Sequence, residues 1–139
     1  MTTQQMLSVS RFTGNPVPRN RLADTRQGII HKVTLYPETG GEMDIYVRLS
    51  FYHETHNIAE VFVGIGKNGT TLQGMLDGWA IQTSIALQYG VPVEVIINKF
   101  KGQSFQPAGN VDGLGLKQCS SLYDLIVRIM ELESSTATL

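Results

Sequence analysis

Few side chains in this sequence are spaced for covalent chemistry. His53-Glu54-Thr55-His56 flanks a glutamate with two histidines, but they sit three residues apart, whereas the helical zinc pair of a zincin needs four. A solvated loop is the alternative. Cys119 precedes an expected helix N-terminus, where the dipole lowers a thiol pKa. No partner histidine can be named for it, so a buried or capping role competes. Gly64-Ile65-Gly66-Lys67-Asn68-Gly69 has the outline of a phosphate loop but fits neither the Walker nor the full dinucleotide pattern; a plain turn and an anion site at a helix N-terminus both stay open. Asp77 can cap a neighbouring backbone or bond a ligand. Arg19, Arg21, Arg26, His31 and Lys32 cluster in sequence, opposed by Asp24 alone. Such a cluster is a solvated face or a phosphate contact, since guanidinium forks match phosphate oxygens.

These groups need elements to hold them. Residues 1–25, with Gly14-Asn15-Pro16-Val17-Pro18, lack periodicity and read as an extended arm before a single domain over 26–139. Period-two alternation predicts strands over Gly28–Tyr36 and Glu42–Tyr52, joined by the turn Pro37–Gly41, and a third over Ala59–Ile65. In the first, Ile30, Lys32, Thr34 and Tyr36 share one face; His31, Val33 and Leu35 share the other. Thr70 or Thr71 caps a helix running to about Tyr89, apolar nearly all round and therefore expected between two surfaces. Gly74 and Gly78 fall on one stripe of it, where another backbone, such as a partner subunit's helix, can approach. Gly90 suits a left-handed cap and Pro92 a new first turn. Val93–Phe100 reads as helix or strand, with helix preferred. Lys101–Leu116 reads as a long loop, and Ser120 or Ser121 to about Glu133 as a final helix with a frayed tail. The fold class is α+β: a small antiparallel sheet of about three strands against a long central helix and a C-terminal helix.

Composition excludes several classes. At 139 residues and 42% hydrophobic content the chain can close one core. A net charge of -1 argues against duplex nucleic acid as a partner. Only 17% of residues are charged, below the usual ~25%, which points to surface covered by other copies; a homo-oligomer is expected, either a dimer or a hexamer, a choice that composition does not make. One cysteine excludes a disulfide framework within the chain, and no apolar run of membrane length or signal peptide appears. A cytoplasmic protein without a cofactor is expected.

Thr70-Thr71-Leu72-Gln73-Gly74-Met75-Leu76-Asp77, Ala86-Leu87-Gln88-Tyr89-Gly90-Val91-Pro92-Val93-Glu94, Asn98-Lys99-Phe100 and Phe105-Gln106-Pro107-Ala108-Gly109 together resemble the TSCPD domain, which closes adenosylcobalamin-dependent ribonucleotide reductases. Arg21-Leu22-Ala23-Asp24-Thr25-Arg26 with Ile30-His31-Lys32 is similar to its opening segment, so the resemblance spans roughly Arg19 to Arg128. The catalytic barrel and the cysteine-rich reducing tail of the reductase are absent, and reduction by this chain alone is not expected. In size and layout the chain is also similar to the first family of Thoeris anti-defence proteins, phage-encoded oligomers that sequester cyclic ADP-ribose isomers or cyclic oligonucleotides.

That second resemblance implies a non-catalytic sponge in the host cytoplasm, holding a small nucleotide. Phe100 and Phe105 would stack on adenine, Asn98 and Asn110 would read a base edge, and Arg19, Arg21, Arg26 and Lys99, with His31 beside them, would meet phosphate. For the phenylalanines, core packing is the competing role. The first resemblance implies instead an accessory subunit of a split reductase. Hydrolysis of a nucleotide signal ranks last.

Overall fold

A computed structural model describes residues 17–66 and 69–137. Most of the expected arm, and Lys67-Asn68 of the glycine-rich turn, lie outside the described residues. Those described form strands β1 (Gly28–Pro37), β2 (Met43–Phe51) and β3 (Ile58–Gly64), helices α1 (Thr71–Gln88) and α2 (Val93–Phe100), strands β4 (Gly109–Asp112) and β5 (Gln118–Cys119), and helix α3 (Leu122–Ala137). The α+β class holds. No helix among them is long and apolar enough to cross a membrane.

The sheet is antiparallel in the order β3-β2-β1-β4-β5. Five strands replace the expected three, because Gly109–Asp112 of the expected long loop pairs with β1, Leu35 opposite Val111 and Pro37 opposite Gly109, and Gln118–Cys119 just beyond it pairs with β4. Gly109-Asn110-Val111-Asp112 has a single apolar residue and no alternation to read. Its strand character comes from its tertiary neighbour. The tail expected to fray is also helical, as far as Ala137.

Alternation along the strands divides the sheet into two faces. Val33, Leu35, Ile45, Val47, Leu49, Val61 and Val63 point inward and are buried. Across them lies α3, with Leu122, Leu125, Ile126, Val127, Ile129 and Met130 all at 0% exposure. At about 1.5–3 kcal/mol per fully buried side chain, these six make α3 the main support of the core. It is α3, not α1, that is sheathed nearly all round. Trp79 of α1 stacks on Tyr123 of α3 with ring centres 5.4 Å apart, and Phe100 of α2 meets both edge-on at 5.5 and 5.2 Å. Phe100 therefore packs in the core. The opposite sheet face is open, and on it Ile30, Arg48 and Phe62 form one cross-strand row. The Arg48 guanidinium lies 4.3 Å from the Phe62 ring centre, while Tyr46 and Tyr36 stand exposed nearby.

Helix α1 seals an edge. Strand β3 ends the sheet, and a bare strand edge presents unpaired N–H and C=O groups. Gln73 accepts from the Ile65 amide at 2.9 Å and donates to the Val63 carbonyl at 3.0 Å. The Ser84 hydroxyl accepts from the Val61 amide at 2.9 Å and donates to the same residue's carbonyl at 3.2 Å. Gln88 donates to the Ala59 carbonyl at 3.0 Å. These polar residues are buried because the strand needs them. Thr70 caps the helix, accepting from the Gln73 amide, and Gly90 ends it at φ 96°.

Candidate functional site

Among the described residues, two clefts combine polar and apolar lining. The first, about 590 Å³, lies between the loop Tyr52–Asn57, the end of α1 and the start of α2. The last part of the arm forms its rim. The Asn20 amide donates to the Gln88 carbonyl at 2.9 Å, the Arg19 Nε donates to Gln88 Oε1 at 2.8 Å, and the Tyr52 hydroxyl donates to the Asn20 carbonyl. Burial pushes the Tyr52 phenol up; Arg19 opposes this and Glu54 adds to it. Tyr52 thus remains a proton donor at neutral pH. Glu54, His56 and Glu94 add to the polar lining, above Ile58, Leu87, Val91 and Val93.

The second cleft, about 630 Å³, is built by the segment Ser104–Ala108 together with Gln118, Cys119, Ser120, Asp124, Arg128 and Glu38. Asp124 organises it. Its buried carboxylate accepts from the Gly102 amide at 2.8 Å, the Ser120 amide at 3.2 Å and Arg128 at 3.3 Å. Arg128 in turn donates to the carbonyls of Leu116, at 3.1 Å, and Gln118. The charged pair thereby fixes the return of the chain from α2 to α3, and its hydrogen-bonding capacity is directed at this chain's own backbone. Cys119 is buried here. Burial, the largest influence, pushes its thiol up, while the hydrogen bond from the Gly109 backbone acts the other way. A neutral thiol is a poor nucleophile, which favours the structural reading of Cys119 over the reactive one. Alkylation by iodoacetamide at pH 8 is accordingly expected to run at least about tenfold slower in folded than in urea-unfolded protein. Equal rates would remove the burial argument.

The residues singled out for ligand binding are distributed rather than gathered. Arg19 bonds Gln88, a lining residue of the first cleft, and Phe105 lines the second, edge-on to Tyr123 at 5.2 Å. Arg21 is exposed, and Arg26 pairs with Glu60 at 3.3 Å and donates to the Ala23 carbonyl. His31 faces inward and bonds Glu133 of α3, whereas Lys32 points the other way, 3.8 Å from Asp44. Asn98 and Lys99 stand exposed on α2, and Asn110 is an exposed β4 residue opposite Gln118. The His53 ring is 3.1 Å from the Thr25 carbonyl, and Asp77 accepts from Gln73 of its own helix at 2.6 Å rather than capping a neighbouring backbone. Among the described residues no group of three or more His, Cys, Asp or Glu is placed to hold a metal. Glu38, Glu94, Asp124 and Arg128 escaped the sequence reading. For Asp124 a signal existed: Ser121-Leu122-Tyr123-Asp124 has capping-box spacing, and the Asp124 amide does donate to the Ser121 hydroxyl at 3.1 Å.

Comparison with known proteins gives a consistent picture. The TSCPD domain model matches residues 18–134. Vitamin B12-dependent ribonucleotide reductase of Rhodopirellula baltica is 36% identical over 110 residues, 79% of this chain but 10% of that protein. The reductase of the same name from Streptomyces avermitilis is 36% identical over 115 residues, 83% of this chain and 11% of its own length. That of Agrobacterium fabrum is 33% identical over 79% of this chain, which is 8% of the reductase. The chain thus spans about a tenth of the length of these relatives. No solved structure matches it. With the family model covering the arm's end, the sealed sheet and both clefts, the chain belongs to the TSCPD domain family.

Proposed function

We propose that this chain serves B12-dependent ribonucleotide reduction in the cytoplasm as a non-catalytic accessory module, acting by association with a much larger catalytic polypeptide. The observation that carries this reading is the match of nearly the whole chain to one small part of such reductases. The clefts support it. Asp124 and Arg128 hold this chain's own loop, and Cys119 is a buried neutral thiol. The open sheet face offers the aromatic and arginine side chains that dominate binding energy at protein interfaces, in Arg48, Phe62 and Tyr46.

Nucleotide sequestration is the weaker reading. It asks Arg19, Arg21, Arg26 and Lys99 to meet one phosphate group, yet Arg19 is bonded to Gln88, Arg26 to Glu60, and Lys99 stands on a separate helix. The relatives named above are reductases.

The test uses a B12-dependent reductase polypeptide from which its own TSCPD segment has been deleted. Calorimetry should give a Kd in the micromolar range or tighter, and adding the chain should change ribonucleotide turnover. Phe62→Ala with Arg48→Ala should weaken binding at least about tenfold. Absence of both binding and a turnover effect overturns the reading.

A further inference from the structure

We infer that the outward face of α1 is a self-association surface, on which α1 of a second copy lies antiparallel with Ile81 of each copy seated in the Gly74–Gly78 notch of the other. One face of α1 seals β3; the other carries Met75 at 64% exposure and Ile81 at 54%, with Gly74 and Gly78 between them. A methyl group added at Gly74 or Gly78 would meet no atom within 4 Å. Neither glycine is therefore required by the packing of this chain, although glycine disfavours helix relative to alanine. The space they leave suits something that comes close to the helix backbone.

Charge and symmetry point to a second copy as the occupant. Over eighteen residues α1 carries one charged side chain, Asp77, and its carboxylate is bonded at 2.6 Å to Gln73 of the same helix. The face offers no cation to an anionic lipid surface and only the single carboxylate of Asp77 to a charged protein. A largely apolar helix with little charge fits it, and α1 itself is one.

The spacing closes the fit. At about 1.5 Å rise and 100° per residue, Gly74 lies about 6 Å before Gly78 and is rotated about 40° to one flank; Ile81 lies about 4.5 Å after it and about 60° to the same flank. A two-fold axis through the Gly78 contact keeps each residue on its flank and reverses its position along the helix. Ile81 of the second copy then falls within about 1.5 Å of the level of Gly74, over the missing side chain. The same operation places Met75 of the second copy beside Gln82. An interface that uses one patch twice in this way closes as a dimer.

The test is independent of the reductase reading because it uses this chain alone. Light scattering on the purified protein at about 100 µM should give twice the chain mass of 15.3 kDa. Ile81→Lys should give a monomer with an unchanged circular dichroism spectrum. Gly74→Ala should raise the melting temperature of the fold measured at low concentration, yet weaken the dimer at least tenfold, a pair of opposite signs that a purely structural glycine would not produce. Gly78→Cys should form a disulfide-linked dimer on mild oxidation, with Cys119 buried and not competing. A monomeric wild type, or a dimer unaffected by both Ile81→Lys and Gly74→Ala, overturns the inference.

Discussion

Gly109→Ala is expected to leave little or no stably folded protein. An alanine Cβ at this position would sit 2.1 Å from the Tyr36 carbonyl oxygen and 3.3 Å from the Glu38 nitrogen. Both obstacles are backbone atoms, held where they are by pairing of Pro37 with Gly109 and by the bond from the Glu38 amide to the Ala108 carbonyl at 2.9 Å. A flexible side chain could swing aside; this strand can move only by giving up β4. Overpacking by a methylene typically costs about 1–3 kcal/mol where neighbours can adjust. Here they cannot, so the cost should reach or exceed about 3 kcal/mol, a large share of a usual stability of about 5–15 kcal/mol. In a thermal melt the midpoint should fall by about 10 °C or more, or the protein should be insoluble. A shift under about 2 °C would show that β4 is dispensable.

Removing the Ser84 hydroxyl should have the next largest effect. Ser84→Val fills similar space but leaves the Val61 amide and carbonyl buried without partners. Each orphaned backbone group costs about 1–3 kcal/mol, so the pair should cost about 2–6 kcal/mol. Ser84→Thr keeps the hydroxyl and should recover most of it. Urea denaturation distinguishes the two: a midpoint for Val equal to that for Thr would mean that water supplies the missing bonds. Because the unsealed edge of β3 is a template for further strands, the valine protein should also aggregate faster on heating.

Much of this architecture was legible in the sequence, and the illegible part has physical causes. Strands β1 and β2 alternate because one sheet face is buried and the other open, whereas β3 is buried at four successive residues, Ile58 to Val61, and α1 and α3 carry caps and apolar stripes. Strand β4 shows none of this; pairing with β1 makes it a strand. Sequence neighbours also mislead. His31 and Lys32 adjoin in the chain, yet a period of two sends one beneath α3 and the other outward. Arg19, Arg21 and Arg26 cluster in sequence, but Arg19 is taken up by Gln88 and Arg26 by Glu60, residues 69 and 34 positions away. The second cleft draws Glu38 together with residues beyond position 100, a convergence that only the folded chain creates. What could have been read there is Asp124, three residues after Ser121 and four before Arg128, in the spacing of a capped and charge-paired first turn.

The helix that seals β3 also has a consequence for synthesis on the ribosome. Its cover follows at once: α1 begins at Thr71, seven residues after β3 ends at Gly64. The free edge of β1 has no such neighbour in time. It must wait until Gly109–Asp112 emerges, more than seventy residues after Pro37. At about 5–20 residues per second that is several seconds during which Thr34-Leu35-Tyr36-Pro37, the part of β1 that β4 covers in the finished fold, is paired on one side only. The nascent chain is therefore exposed to misassembly along β1 rather than β3, and a chaperone would find its substrate there.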